Sequence, residues 1–225
     1  MDNESYRKLC LKQQTELRKI MGNTGQHEGA ILLFMRQHAM LHSAMMAQTE
    51  LWSFEDAVLD DMTEQRIRRI PLNCDHSVAW TIWHIARIED TTMNLLVAGS
   101  PQILNQCNWL QQMNIETSST GNAMDEEEVA DLSARINIPA LRAYRAAVGR
   151  RTRHIVGTLQ PQELSQKVNP ARIAQVMDEG AIVEAARGIS EYWSKRDIAG
   201  LLLMPATRHN LVHLNEALKL KRRRQ

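Results

Sequence analysis

Glycine and proline are scarce in this chain, at ten and six of 225 residues, and nowhere do β-branched and aromatic residues alternate in the two-residue rhythm of a strand. Those absences exclude a sheet-based fold. No apolar run reaches the ~20 residues that span a bilayer, which excludes a transmembrane helix. Cysteine is rare too: Cys10, Cys74 and Cys107 are odd in number, far apart and free of CxxC or zinc-finger spacing. They predict reduced thiols in a cytoplasm rather than a disulfide framework. The start of the chain, Met1-Asp2-Asn3-Glu4, carries no apolar core behind its charges, so a secretory signal is not expected. A dominant sign of charge is also missing. With 27 basic and 26 acidic residues the net charge is +1, which offers no field for a polyanion and argues against nucleic acid.

What is present is an ordinary globular composition, 44% hydrophobic and 24% charged, in a chain long enough to bury a real core. We expect a soluble, all-α protein folded as one domain over residues 1–225. Residues 4–20 read as a short polar helix ending at Met21-Gly22-Asn23, so residues 1–25 form an N-terminal extension packed on the outside of a bundle core at 27–220.

The first long helix is expected over 27–52, with Ile31, Met35, His38, His42 and Met45 on one buried stripe. Residues 54–70 read mainly as a surface connector because of the charges between Asp60 and Arg69. A second core helix starts at Asp75 or Ser77 and runs to about Val97, stopped by Gly99-Ser100-Pro101. On it Thr81, His84, Ile88 and Leu95 share a face, beside Trp80, so His84 points inward.

Trp109 and Leu110 suggest a short docked helix, and Ser118 to Asn122 a flexible loop. Asp125 and Glu128 are spaced as a capping box, which explains the acidic run without a ligand. The third core helix covers about 139–159, with Leu141, Tyr144, Val148, Thr152 and Ile155 buried and Arg142, Arg145, Arg150, Arg151 and Arg153 mostly facing water. A shorter helix begins at Asn169-Pro170. The last helix is expected to open with Ser194 as N-cap, Asp197 three residues on and a Trp193/Ile198 staple. Its apolar stripe includes Ile198, Leu201, Leu202, Pro205, Val212 and Leu220. Pro205 inside it costs ~3 kcal/mol and should kink the chain one turn before His209. The basic run Lys219 to Arg224 reads as a solvated end that favours the negative pole of this helix.

Two histidine pairs have i, i+4 spacing, which brings both rings to one helix face about a turn apart. His209 and His213 have the spacing that two ligands of one metal ion need. His38 and His42 compete with them, but their plainer reading is that they cap the bundle rim or hydrogen-bond to a neighbouring helix.

The segment from Asp75 to Glu89, with Trp80-Thr81 and His84-Ile85-Ala86, resembles the second-helix signature of the DinB-like (DinB/YfiT-type) superfamily. His209-Asn210-Leu211-Val212-His213 is similar to the HxxxH of that family's last helix. The resemblance implies an up-down-down-up four-helix bundle with one divalent metal ion bound by His84, His209 and His213, the identity of the ion, zinc or nickel, being open. The chain departs from the family pattern at His76, where tryptophan is usual, and by about one extra turn between Asp197 and His209. Its N-terminal extension and the 102–130 insertion, with extra short helices, are longer than a minimal member needs.

Three imidazoles leave an ion an open position, which is the arrangement of a catalytic site. Glu89 and Glu216 are candidates for a base or for acceptors behind the ligands, although an exposed, solvated carboxylate is the ordinary reading of each. The function implied is a metal-dependent enzyme, a thiol-cofactor transferase or small-molecule hydrolase, cytoplasmic and homodimeric. The alternative is a non-catalytic bundle of stress-related or structural role whose histidines satisfy one another in the core. A nucleic-acid role rests only on the basic tail, and net charge opposes it.

Overall fold

The computed structural model describes residues 2–223, and every element in it is helical. Met1 of the N-terminal reading and Arg224 of the basic run lie outside the described residues. Among the described residues the one β feature is an isolated bridge between Lys167 and Asp197.

Helix α1 (Asn3–Ile20) starts where the Asp2 carboxylate accepts the Ser5 amide at 2.8 Å. Its buried Cys10, Gln13 and Leu17 turn inward, and Gln37 of α2 (His27–Leu41) donates to the Cys10 carbonyl and the Gln14 side chain. Helix α2 is shorter than its periodicity suggests. It stops at His42, which is extended, because the amides of Ser43 and Ala44 are taken by the carboxylates of Glu55 and Asp56. A single turn, α3 (Ala44–Ala47), follows, and Met45, expected in the buried stripe, is 81% exposed.

Residues 54–70 are not a surface connector. They form α4 (Phe54–Leu59), capped by Ser53, and α5 (Glu64–Arg68). Phe54 and Val58, one turn apart, are wholly buried and Ile67 nearly so. Charge between the apolar positions hid this short inward face.

Helix α6 (Val78–Asp90) is capped by Ser77, whose hydroxyl accepts the Trp80 amide, and continues through wider π-helical turns over Thr91–Ala98. Gly99 ends it at φ 63. Every residue from Val78 to Val97 except Trp80 is buried, so α6 is the axis of the molecule. Helix α7 (Trp109–Met113) packs Trp109 against Tyr144 at 5.6 Å, and α8 (Glu126–Arg135) carries the expected Asp125/Glu128 capping box.

Helix α9 (Ile138–Thr158) buries Leu141, Tyr144, Val148, Thr152 and Ile155 as its pattern predicts. Arg145 departs from it: the side chain is fully buried, its Nε donating to Glu55 at 2.6 Å and its Nη2 to the Leu41 carbonyl. A guanidinium can lie inside only with such partners.

After α10 (Pro170–Asp178) and α11 (Arg187–Ser194), α12 (Ile198–Leu203) is capped by Asp197 and not by Ser194, which closes α11. Pro205 then opens a π-helical stretch, Met204–His209, that leads into α13 (Asn210–Arg222). Proline lacks the amide that an α-turn would use, so the ladder slips by a residue, and the Thr207 hydroxyl donates to the carbonyls of Leu202 and Leu203. Val212, expected to be buried, is 41% exposed. Helix α6 lies against α9 and α13, and α2 touches both of these.

Candidate metal centre

His84 in α6 meets His209, at the end of the π-helical stretch, and His213, one turn into α13. One nitrogen from each ring lies within 4.8 Å of the others. Ring centroids are 5.0 Å apart from His84 to each partner and 4.4 Å between His209 and His213. The three residues singled out from sequence are thus brought together.

Two of the three rings are aimed by an acceptor. The Nδ1 of His84 donates to the Thr120 carbonyl at 2.6 Å. A carbonyl only accepts, so this ring carries its proton on Nδ1 and keeps a lone pair on Nε2. The carbonyl is held in place by the turn at Gly121, where φ is +80 and an added Cβ would lie 2.4 Å from Trp83. Trp80 stacks on His84 at 4.7 Å and 8°, fixing the ring from the other side. The Nδ1 of His213 is bound in the same sense by Glu216, whose carboxylate lies at 2.6 Å. His209 has a buried Nδ1 with no partner. Burial, reinforced by His213, pushes the His84 imidazole down to about 3. Burial and then the other two rings hold His209 well below its ordinary value. These are neutral imidazoles, the form that binds metal.

The donor set therefore fits a divalent ion, and the orphaned nitrogen of His209 is the kind of buried polar atom that an ion relieves. Glu216 is where an acceptor behind a ligand belongs. His76 stays outside the cluster, half-buried with its ring against Trp80 at 4.9 Å.

Glu89 is not solvated, and His38 and His42 are not at a rim. All three are fully buried and form a second cluster. The Nε2 of His38 donates to Glu89 Oε1 at 2.8 Å and that of His42 to Oε2 at 3.0 Å. Asn210 adds a third donor at 2.7 Å. Burial would raise the Glu89 carboxyl, but the two histidines outweigh it and hold the acid well below the usual range. His42 is pushed down to about 3 by burial. Here the Nδ1 atoms are the orphans, and that of His42 faces Gly149 of α9, where a Cβ would come within 2.8 Å.

The hydrogen bond of the histidine pair to a neighbouring helix is the plainer expectation realised. Spacing could have indicated that Glu89 serves α2: five residues from His84 is roughly 140° around a helix. The Thr120 carbonyl had no such signal, because a main-chain acceptor is independent of side-chain identity.

The family model described as DinB superfamily matches residues 49–217, which include His84, Glu89, His209 and His213 and leave out His38 and His42. No curated protein sequence matches the chain.

Proposed function

The chain belongs to the DinB superfamily, and from that premise we propose that His84, His209 and His213 hold one divalent metal ion in a metal-dependent enzyme acting on a small molecule. The observation that carries this reading is the way two rings are tied: His84 and His213 each engage an acceptor through Nδ1, which leaves Nε2 of each as a lone-pair donor. An ion on three imidazoles supplies Lewis acidity and retains a coordination position for a substrate or water.

The chain's own residues do the rest. Thr120 and Glu216 orient the ligand rings and strengthen them as bases, and Trp80 covers one side of His84. Zinc and nickel suit this donor set equally. Transfer of a group to a thiol cofactor, or hydrolysis of a small molecule, is the reaction class proposed.

Elemental analysis of the purified chain tests the metal, and a panel of thiol-conjugate and amide substrates tests the chemistry. We expect about one divalent ion per chain, lost in His84→Ala and in His209→Ala. Metal content unchanged in both variants removes the basis of the reading.

A further inference from the structure

Five arginines, Arg66, Arg68, Arg69, Arg222 and Arg223, line one open groove of about 1050 Å³ between α5, the end of α8 and the end of α13. In a chain with a net charge of +1 this is a local excess. Among the described residues the only ion pair any of the five makes is Arg68 with Glu64, at 3.3 Å. The ends of α8 and α13 add about half a negative charge each. Against five guanidiniums that leaves about three positive charges unbalanced.

Four of the five arginines are held by main-chain carbonyls. Arg66 donates to the Lys221 carbonyl at 2.7 Å, Arg68 to Ala134 at 3.0 Å, Arg69 to Arg223 at 3.0 Å, and Arg223 to Leu72 at 3.2 Å. Three of these bonds cap the ends of α8 and α13 and the fourth reaches the turn at Leu72, and each side chain uses only one or two of its five N–H groups. The Nε of Arg69 is buried with no acceptor. Like charges fixed side by side, with donors to spare, favour an anion that accepts from several forks at once. The carbonyl bonds have already limited the side chains' freedom, which lowers the entropy cost of binding. Ile70, Ala130 and Ala134 give the groove an apolar side that suits an uncharged body attached to the anion. The space exceeds what a single phosphate fills. None of the five clustered histidines lines it.

We propose that this groove binds a small molecule carrying two or more phosphate groups, at a site separate from the histidine centre. Titration calorimetry of the full chain with inorganic pyrophosphate and with ATP, against sulfate at equal ionic strength, tests it. Both phosphates should bind saturably at one per chain and more tightly than sulfate. Affinity should fall about tenfold in Arg222→Ala and in Arg69→Lys, which keeps the charge but loses the fork. The melting temperature of unliganded Arg222→Ala should match that of the parent, and Arg69→Lys should lose only what its bond to the Arg223 carbonyl supplies. Sulfate binding as well as the phosphates, or both variants binding unchanged, overturns the proposal. So does ATP binding without pyrophosphate, which would move recognition to the base. A single-stranded oligonucleotide that displaces ATP at lower concentration would make the groove a nucleic-acid face and overturn it too.

Discussion

Two histidine clusters share α6, and both have the residue types of a metal site, yet their ring nitrogens are used in opposite ways. At His84 and His213 the hydrogen bonds run outward through Nδ1, to a carbonyl and a carboxylate. At His38 and His42 they run inward through Nε2, into Glu89. An ion taken up on the Nε2 atoms of the second pair would put each proton on an Nδ1 that has no acceptor. Each buried orphan donor costs ~1–3 kcal/mol, and the bonds to Glu89 would be lost as well. The comparison teaches that composition and proximity do not make a metal site. The acceptors behind His84 and His213 mark the difference, and from them we infer a centre open to an ion at one cluster and a polar knot that holds helices together at the other.

The sharpest way to break this division is Glu89→Ala. Its removal leaves His38 and His42 with buried donors and nothing to accept them, and Asn210 with only the Ala206 carbonyl, so chemical denaturation should report a loss of ~3–5 kcal/mol. A Glu89→Ala protein of parental stability that no longer bound metal would reverse the roles assigned to the clusters.

Gly121→Ala tests the other side. Its φ of +80 and the 2.4 Å approach to Trp83 mean that a methyl group must displace the turn. Stability should fall by ~1–3 kcal/mol, and metal affinity should fall about tenfold as the Thr120 carbonyl leaves His84. Affinity that stays constant while stability drops would show that this carbonyl does not orient the ring.

Acidity separates the clusters more gently. His84 and His42 both bind protons near 3 when folded and near 6.5 otherwise. The unfolded chain therefore holds more protons between these values, and stability rises with pH across that window. It is complete above about 6.5 and declines toward 3, by at most ~1.4 kcal/mol per pH unit for each group. Glu89, held below its ordinary value, adds a further loss only as pH falls below its unfolded value of 4.5. Of these two groups, metal competes with protons only at His84. Melting curves at several pH values, with and without zinc, should show metal-dependent stabilisation that weakens with acid, on top of a metal-independent decline from the second cluster.

Local chemistry made much of the fold legible. Ser77, Asp125 and Asn169 cap helices where the sequence places them, and the α9 stripe is buried as its spacing predicts. HxxxH makes two rings of the histidine centre legible by fixing them on one face, and the third, His84, comes from the resemblance to the DinB-like family. Two of the misreadings come from partners elsewhere along the chain. Helix α2 stops where carboxylates of the 54–59 helix take its following amides, and Arg145 is buried because Glu55 waits 90 residues away. At the start of α12 Ser194 is the cap expected from sequence, but Asp197 takes that place because its carboxylate accepts the Gly200 amide at 2.8 Å.

The tautomers themselves can be observed by long-range proton–nitrogen NMR of the imidazoles during zinc titration. The account predicts that His84 and His213 carry the proton on Nδ1 and shift at Nε2 as zinc is added, while His38 and His42 carry it on Nε2 and do not respond. Zinc shifts at His38 and His42, with His84 unmoved, would contradict it.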